Sequence, residues 1–424
     1  MPLERYSLGI GDRFGREGPA QLRALDAARR EGVRITPVWN KSNREHTIIG
    51  TSPVDTRRSA ASAVRASGWT DAFYVDADHI GLATVDRFLG ACDFFTIDVA
   101  DLIGQRPPAE AVSSFLRAMS GLKGTLRLPG LDSPIEVTDA LLADVAAKYL
   151  SAVLEAGRVY ARIAEKKGTE EFVVEVSLDE AGVPQAPAEL VFILAAIARQ
   201  GIPVRTIAPK FSGDFLKGID YVGDVGTFAR EFDADLAVLG FAKETFGLPA
   251  DLKLSVHSGS DKFSLYPVMR RAIRRRDAGL HVKTAGTTWL EEVIGLASTG
   301  GEGLRLAKDI YAQALARFEE LSRPYLPVIS IDVSRLPSAG EVASWDSRAF
   351  VDALQHDADC PRFNPHFRQL VHIGFRIAAE MGGRFTGLLE DCRASIETHV
   401  TDNLLRRHIG PLFLEDPPRA SAAE

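Results

Sequence analysis

Val173-Val174-Glu175-Val176-Ser177-Leu178-Asp179-Glu180 reads as a strand with two unlike faces. Alternation puts Val174, Val176 and Leu178 on one face and Glu175, Ser177 and Asp179 on the other, because successive strand side chains point to opposite sides. An apolar face that packs under helices and a polar face that lines the mouth of a barrel satisfy both halves of this pattern. Seven further apolar or β-branched runs fall at Tyr6 to Gly11, Val33 to Trp39, Ala72 to Val75, Phe94 to Ile97, Val204 to Ala208, Leu252 to Val256 and Leu280 to Thr284. Longer helical patterns separate them, which is the signature of βα units around a parallel sheet. Eight units predict an α/β chain folded as a closed (β/α)8 TIM-type barrel.

The connections support that reading. Pro19 to Arg30 carries apolar residues at helical spacing, starts at proline and stops before Gly32, as a crossover helix should. Ser52-Pro53 reads as an N-cap and first-turn proline for a helix running to about Gly68. Between Asp101 and Thr169 the chain is far longer than one crossover needs, so a helical insertion is expected after the fourth strand. Its second half, Asp139 to Lys167, carries a stripe of Leu141, Leu142, Val145, Ala146, Tyr149, Leu150, Val153 and Leu154 suited to packing on the barrel wall. Residues 1–300 are thus assigned to the barrel, 301–415 to a C-terminal helical extension with patterns at 304–321, 367–381 and 385–405, and 416–424 to a disordered tail.

The chain has 424 residues, enough for one large barrel with insertions or two ordinary domains. Its 57 acidic and 50 basic residues, with no long basic run, argue against nucleic-acid and membrane-surface partners and for a small molecule. Cys92, Cys360 and Cys392 are few, odd in number and without metal-type spacing, which fits buried thiols in a reducing compartment. With no apolar leader at Met1-Pro2-Leu3 and no stretch of about 18 apolar residues, a cytoplasmic protein is expected. Homo-oligomerisation is left open.

In this fold the active site is built at the carboxyl ends of the strands. Here those ends carry Asp12-Arg13, Asn40-Lys41, Asp76 with Asp78-His79, Asp98, Glu175 with Asp179, Lys210, His257, and His281 with Lys283. So much converging charge is costly unless it binds something. Three of the nine histidines, His79, His257 and His281, fall there, and imidazoles with a carboxylate are the ligands that zinc, manganese, cobalt or nickel accept. Any one of them is equally well read as a hydrogen-bonded core histidine, and His46 is the next candidate. Asp78 and Glu175 are the acid–base candidates; Asp78 or Asp179 serves equally as a further metal ligand. Lys210, Lys262 and Lys283 suit a substrate hydroxyl, a carboxylate or a Schiff base, and Arg13, Lys41 and Arg44 a substrate carboxylate. No phosphate-cradling glycine loop is present.

Gly11-Asp12-Arg13, Asp76-Ala77-Asp78-His79, Phe95-Thr96-Ile97-Asp98, Glu175 to Glu180, Lys217-Gly218-Ile219-Asp220-Tyr221, His257 to Ser264 and His281 to Thr287 together resemble the tagaturonate epimerase family, over about residues 6–300 with a weaker echo at Arg368 to His372. The resemblance implies a divalent metal and C4 epimerisation between tagaturonate and fructuronate, or between the neutral sugars tagatose and fructose. It further implies Asp78 as proton acceptor, Glu175 as proton donor, and His79 and His257 as metal ligands with His281 or Asp214 completing the set; the strand-end residues Asp12, Arg13, Asn40, Lys41, Asp179, Lys210 and Lys283 are assigned to the substrate. The inverted carbon lies β to the ketone, where simple enolisation fails, so cleavage and re-formation of the C3–C4 bond is the expected route. The rivals are a metal-dependent aldolase or aldose–ketose isomerase on the same barrel, a Schiff-base aldolase using Lys283 or Lys210, and a non-catalytic sugar-binding barrel.

Overall fold

The computed structural model describes residues 3–131, 133–168, 171–284 and 286–414. Eight parallel strands close into one barrel: β1 (Tyr6–Gly11), β2 (Ile35–Ser42), β3 (Tyr74–Ile80), β4 (Phe94–Asp98), β7 (Val173–Ser177), β8 (Thr206–Ala208), β9 (Lys253–His257) and β10 (Leu280–Lys283), with β10 pairing back to β1. Helices cover the outside. Each expected strand is present, and β3 runs further than its apolar stretch because its polar end, Asp76-Ala77-Asp78-His79, stays in the sheet.

The two faces of the strands behave as alternation demands. Leu8, Ile10, Val75, Phe95, Ile97, Val174, Val176, Leu254, Val256 and Val282 join the crossover helices in the main apolar core. Their inward neighbours form layers. A dry floor of Leu3, Val38, Tyr74, Phe94 and Val173 lies beneath a charged layer at the mouth. Each fully buried aliphatic side chain contributes about 1.5–3 kcal/mol, so the outer shell and floor carry the stability that the polar mouth does not.

The crossover helix Gly18–Arg30 has its proline at the start, and Pro53–Ser67 opens on Ser52, whose backbone N–H and hydroxyl both donate to Asp55 (2.9 and 2.7 Å). The insertion contains the helices Ala109–Met119 and Asp139–Lys167. It also holds an antiparallel hairpin of β5 (Gly124–Leu126) and β6 (Ile135–Val137), which its helical patterning does not announce. Beyond the barrel, the helices Gly301–Ala316, Pro365–Ile373, Phe375–Met381 and Gly383–Asp391 build a second apolar cluster around the last barrel helix, Thr287–Ser298. The helix Arg393–Asp402 continues into a π-helical segment, Asn403–Ile409. Residues 416–424 lie outside the described residues. Cys92 and Cys392 are buried and Cys360 half-buried, all three unpaired. Among the described residues no helix is long and apolar enough to cross a membrane.

Candidate active site

At the centre of the mouth stands Lys283, the last residue of β10. Its ammonium lies 2.7 Å from Asp76 Oδ2, 2.9 Å from Asp78 Oδ1 and 3.0 Å from Glu175 Oε1, and it donates to Thr96 Oγ1. Burial alone would lower this lysine, but the three carboxylates outweigh it and hold Lys283 well above its ordinary value. An ammonium held in its charged form by three carboxylates is a poor imine-forming nucleophile.

Three carboxylates against one ammonium leave an excess of negative charge. Burial, opposed by Lys283, pushes Asp76 up to about 7, so this carboxyl takes a proton near neutrality. Asp78 and Glu175 are also buried, yet Lys283 and the neighbouring imidazoles hold both well below the usual carboxylate range. The Thr96 hydroxyl is 3.0 Å from each Asp76 carboxylate oxygen and 3.2 Å from Glu175 Oε1, linking the proton-bearing carboxyl to the ionised one. Asp76 shares β3's inward face with Asp78, and that alternation was the available signal for its role.

Two histidines face each other across this cluster, ring centroids 5.1 Å apart. Strict alternation would turn His79 away from Asp78. Instead a register shift between Ala77 and Ile80 and a left-handed backbone at His79 (φ 52°) swing the imidazole over the mouth. Such a conformation costs of order 1–3 kcal/mol in a non-glycine residue and clusters at functional sites. His79 Nδ1 bonds Asp98 Oδ2 at 2.8 Å, which fixes the ring and leaves Nε2 facing the site. His257 Nε2 bonds Glu175 Oε1 at 2.7 Å. Its Nδ1 is buried 3.1 Å from Asp179 Oδ2, off the hydrogen-bonding direction and without a hydrogen-bond partner. Ligand atoms of His79, Asp179 and His257 all lie within 4.8 Å of one another, as do those of His79, Asp98 and Glu180. The first trio, two imidazoles and a carboxylate with an orphaned buried nitrogen among them, fits a divalent cation. Opposed by burial, the surrounding carboxylates raise His79 well above its ordinary value and His257 to about 9.

The structure separates other expected ligands from this trio. In the β9–β10 register Lys283 is level with His257, whereas His281 is level with Ser255, one layer deeper. There its Nδ1 bonds Ser7 Oγ at 2.8 Å and burial lowers it to about 3, the environment of a core histidine. Asp214 is exposed on the loop after β8, where it lines a cleft with Leu216, Ile219 and Pro327. His46 bonds Thr51 Oγ1 at 2.9 Å, and burial lowers it to about 4.

Of the residues expected around the substrate, Asn40 has its amide nitrogen 3.5 Å from Asp78 Oδ2 and its buried Oδ1 unpartnered. Asp12 is committed to a turn, accepting from the backbone N–H groups of Gly15, Arg16 and Glu17 at 2.7, 3.2 and 2.8 Å. Arg13 pairs with Glu45 at 3.1 Å and stacks on Phe375 at 4.1 Å, and Lys41 donates to the Arg13 carbonyl at 2.8 Å. Lys210 is half-buried beyond β8, its backbone N–H bonded to Gln185 Oε1 at 2.7 Å. Lys262 is buried instead, pushed down to about 7 by burial and donating to the carbonyls of Leu216 and Ile219 at 2.9 and 2.8 Å.

A closed (β/α)8 barrel that gathers buried carboxylates, a lysine and two imidazoles at the carboxyl ends of its strands has the architecture of the barrel enzymes. Residues 1–386 match the tagaturonate epimerase (UxaE) family, and the chain belongs to that family of isomerases. It is 30% identical over 383 residues to a tagaturonate/fructuronate epimerase from Thermotoga maritima, covering 88% of this chain and 73% of that one. The native crystal structure of the fructuronate-tagaturonate epimerase UxaE from Cohnella laeviribosi superposes with a TM-score of 0.80 at 25% identity, covering 97% of this chain and 82% of that one. A glycerol complex of the same protein gives 0.76 at 25% identity, covering 94% and 80%.

Proposed function

We propose that this chain interconverts tagaturonate and fructuronate by inverting C4, with a divalent cation held by His79, His257 and Asp179. The observation that carries the reading is the bridge of Lys283 between Asp78 (2.9 Å) and Glu175 (3.0 Å), two ionised carboxylates on either side of one ammonium. Asp78, ionised at neutral pH, takes the proton from the C4 hydroxyl. The C3–C4 bond then breaks, its electron pair passing to the ketone fragment as an enediolate and C4 becoming an aldehyde. Rotation of the aldehyde fragment presents its other face, the bond re-forms, and Glu175, ionised at rest, takes the Asp76 proton through the Thr96 hydroxyl and passes it to the new C4 oxygen. When bound, the cation supplies Lewis-acid stabilisation of the negative charge on the ketone side. Asp78 has then gained a proton and Asp76 lost one. The Lys283 ammonium, which donates to both, connects the two and resets them.

The test is turnover of metal-depleted protein on fructuronate and on fructose, with and without Mn²⁺, Co²⁺, Ni²⁺ or Zn²⁺, with products followed by NMR. The expected result is metal-restored tagaturonate formation. Release of two three-carbon fragments would replace the epimerase reading by an aldolase, and binding without any product would replace it by a sugar-binding barrel.

A further inference from the structure

Most cations around the mouth are already engaged. Lys283 has four acceptors, Arg13 has Glu45 and Phe375, Lys41 has the Arg13 carbonyl, and Arg44 stacks on Tyr325 at 4.9 Å. Lys217 differs. It is largely withdrawn from solvent on the loop after β8, and among the described residues its ammonium has no hydrogen-bond or ion-pair partner. Its Nζ lies 4.0 Å from where a Cβ on Gly259 would stand, over the loop that begins two residues earlier at His257.

The backbone that carries this side chain is fastened from several directions. Lys217 N–H donates to Val328 O at 2.8 Å, Gly218 N–H donates to Ser260 Oγ at 2.8 Å, and Arg368 Nε donates to Gly218 O at 2.6 Å. Lys262 grips the carbonyls on either side, Leu216 and Ile219. A backbone pinned this firmly beneath an ammonium that stays unpaired is preorganised for something that arrives. The neighbourhood specifies the charge of the arrival. Burial lowers the Lys217 ammonium, Glu45 and Glu180 oppose that, and Arg13 and Arg44 reinforce it, so three cations face two carboxylates. His372 packs beside Gly218, buried with neither ring nitrogen partnered.

We propose that Lys217 binds the terminal carboxylate of the sugar acid, and that this contact selects hexuronates over neutral ketohexoses. The proposal rests on the epimerase reading, because the carboxylate lies two carbons from the inverted C4, on the aldehyde fragment. That fragment has to turn over without escaping. A lysine ammonium, a point charge with rotatable donors on a flexible stem, holds a carboxylate while it pivots, where a guanidinium fork would fix its plane.

The experiment titrates fructuronate into metal-loaded wild type, Lys217→Gln and Lys217→Arg by calorimetry, with Mn²⁺ affinity and wild-type turnover measured alongside. A charge-assisted hydrogen bond of this kind is expected to weaken fructuronate binding tenfold to hundredfold in Lys217→Gln. Mn²⁺ affinity stays within twofold, and Lys217→Arg recovers most of the sugar affinity. Unchanged fructuronate affinity in Lys217→Gln overturns the assignment, and so does a parallel loss of Mn²⁺ affinity, which marks a structural role. Absence of turnover in a wild type that binds fructuronate through Lys217 refutes the proposed reaction but not the subsite. A wild type that does not bind fructuronate refutes both.

Discussion

Arg368→Met isolates the contact that ties the C-terminal helices to the loops after β8 and β9. Arg368 and Asp261 are both fully buried and meet at 2.7 Å, and the guanidinium also donates to the carbonyls of Gly218 and Leu354, each at 2.6 Å. Methionine fills a similar volume without charge, leaving the Asp261 carboxylate with His356 at 3.0 Å, His408 at 3.4 Å and the Thr287 hydroxyl at 3.1 Å. Removing one partner of a buried pair costs about 3–5 kcal/mol, a figure that includes the two stranded carbonyls. At about 2 °C per kcal/mol for a chain of this size, Tm should fall by roughly 6–10 °C at pH 8 in differential scanning calorimetry. The pH dependence has a definite sign. Burial and Arg368 hold His356 below its ordinary value against the pull of Asp261, so in the wild type this histidine lowers stability as pH falls through about 6.5. Without Arg368, His356 takes a proton beside Asp261 more readily, the folded variant binds more protons than the wild type, and its deficit shrinks between pH 8 and pH 5.5. A Tm loss below about 2 °C at pH 8, or a deficit that grows toward pH 5.5, would refute the reasoning.

Asp78→Asn and Glu175→Gln should each lower kcat by at least about 10²-fold on fructuronate while retaining the wild-type far-UV circular dichroism; retained turnover removes that residue from its role. Asp98→Ala, which frees the His79 ring from its 2.8 Å partner, should weaken Mn²⁺ binding about 10–100-fold by titration. His281→Asn should leave that affinity unchanged, because His281 sits a layer below the cradle.

The barrel was legible because its strands are short β-branched runs with polar ends, a pattern that depends only on neighbours in sequence. Asp78, His79, Glu175 and His257 could be nominated by the same means, and the structure brings all four together at the mouth. What failed to show was height. His281 and Lys283 share an inward face, and only the pairing register, Lys283 with His257 and His281 with Ser255, tells which reaches the mouth. Counting back from each strand end would have ranked them. The hairpin of β5 and β6 escaped because three-residue strands are too short to show a period. The cluster of Asp261, Arg368, His356 and His408 joins residues some hundred positions apart, a relation that no local pattern encodes.

Tyr6, the first residue of β1, packs against Phe413 with ring centroids 4.7 Å apart, and Leu404, Ile409, Leu412, Phe413 and Leu414 join the apolar core of the barrel itself. From above, Phe375 supports Arg13, and Thr401 bonds the Ala20 carbonyl of the first crossover helix. The chain after residue 300 therefore closes the catalytic unit at both ends, although the family match stops at residue 386. Anyone transplanting this mouth onto another scaffold, or trimming the protein to a minimal catalyst, has to carry the last helices along with the eight strands, because side chains from 404–414 fill part of the barrel's own core.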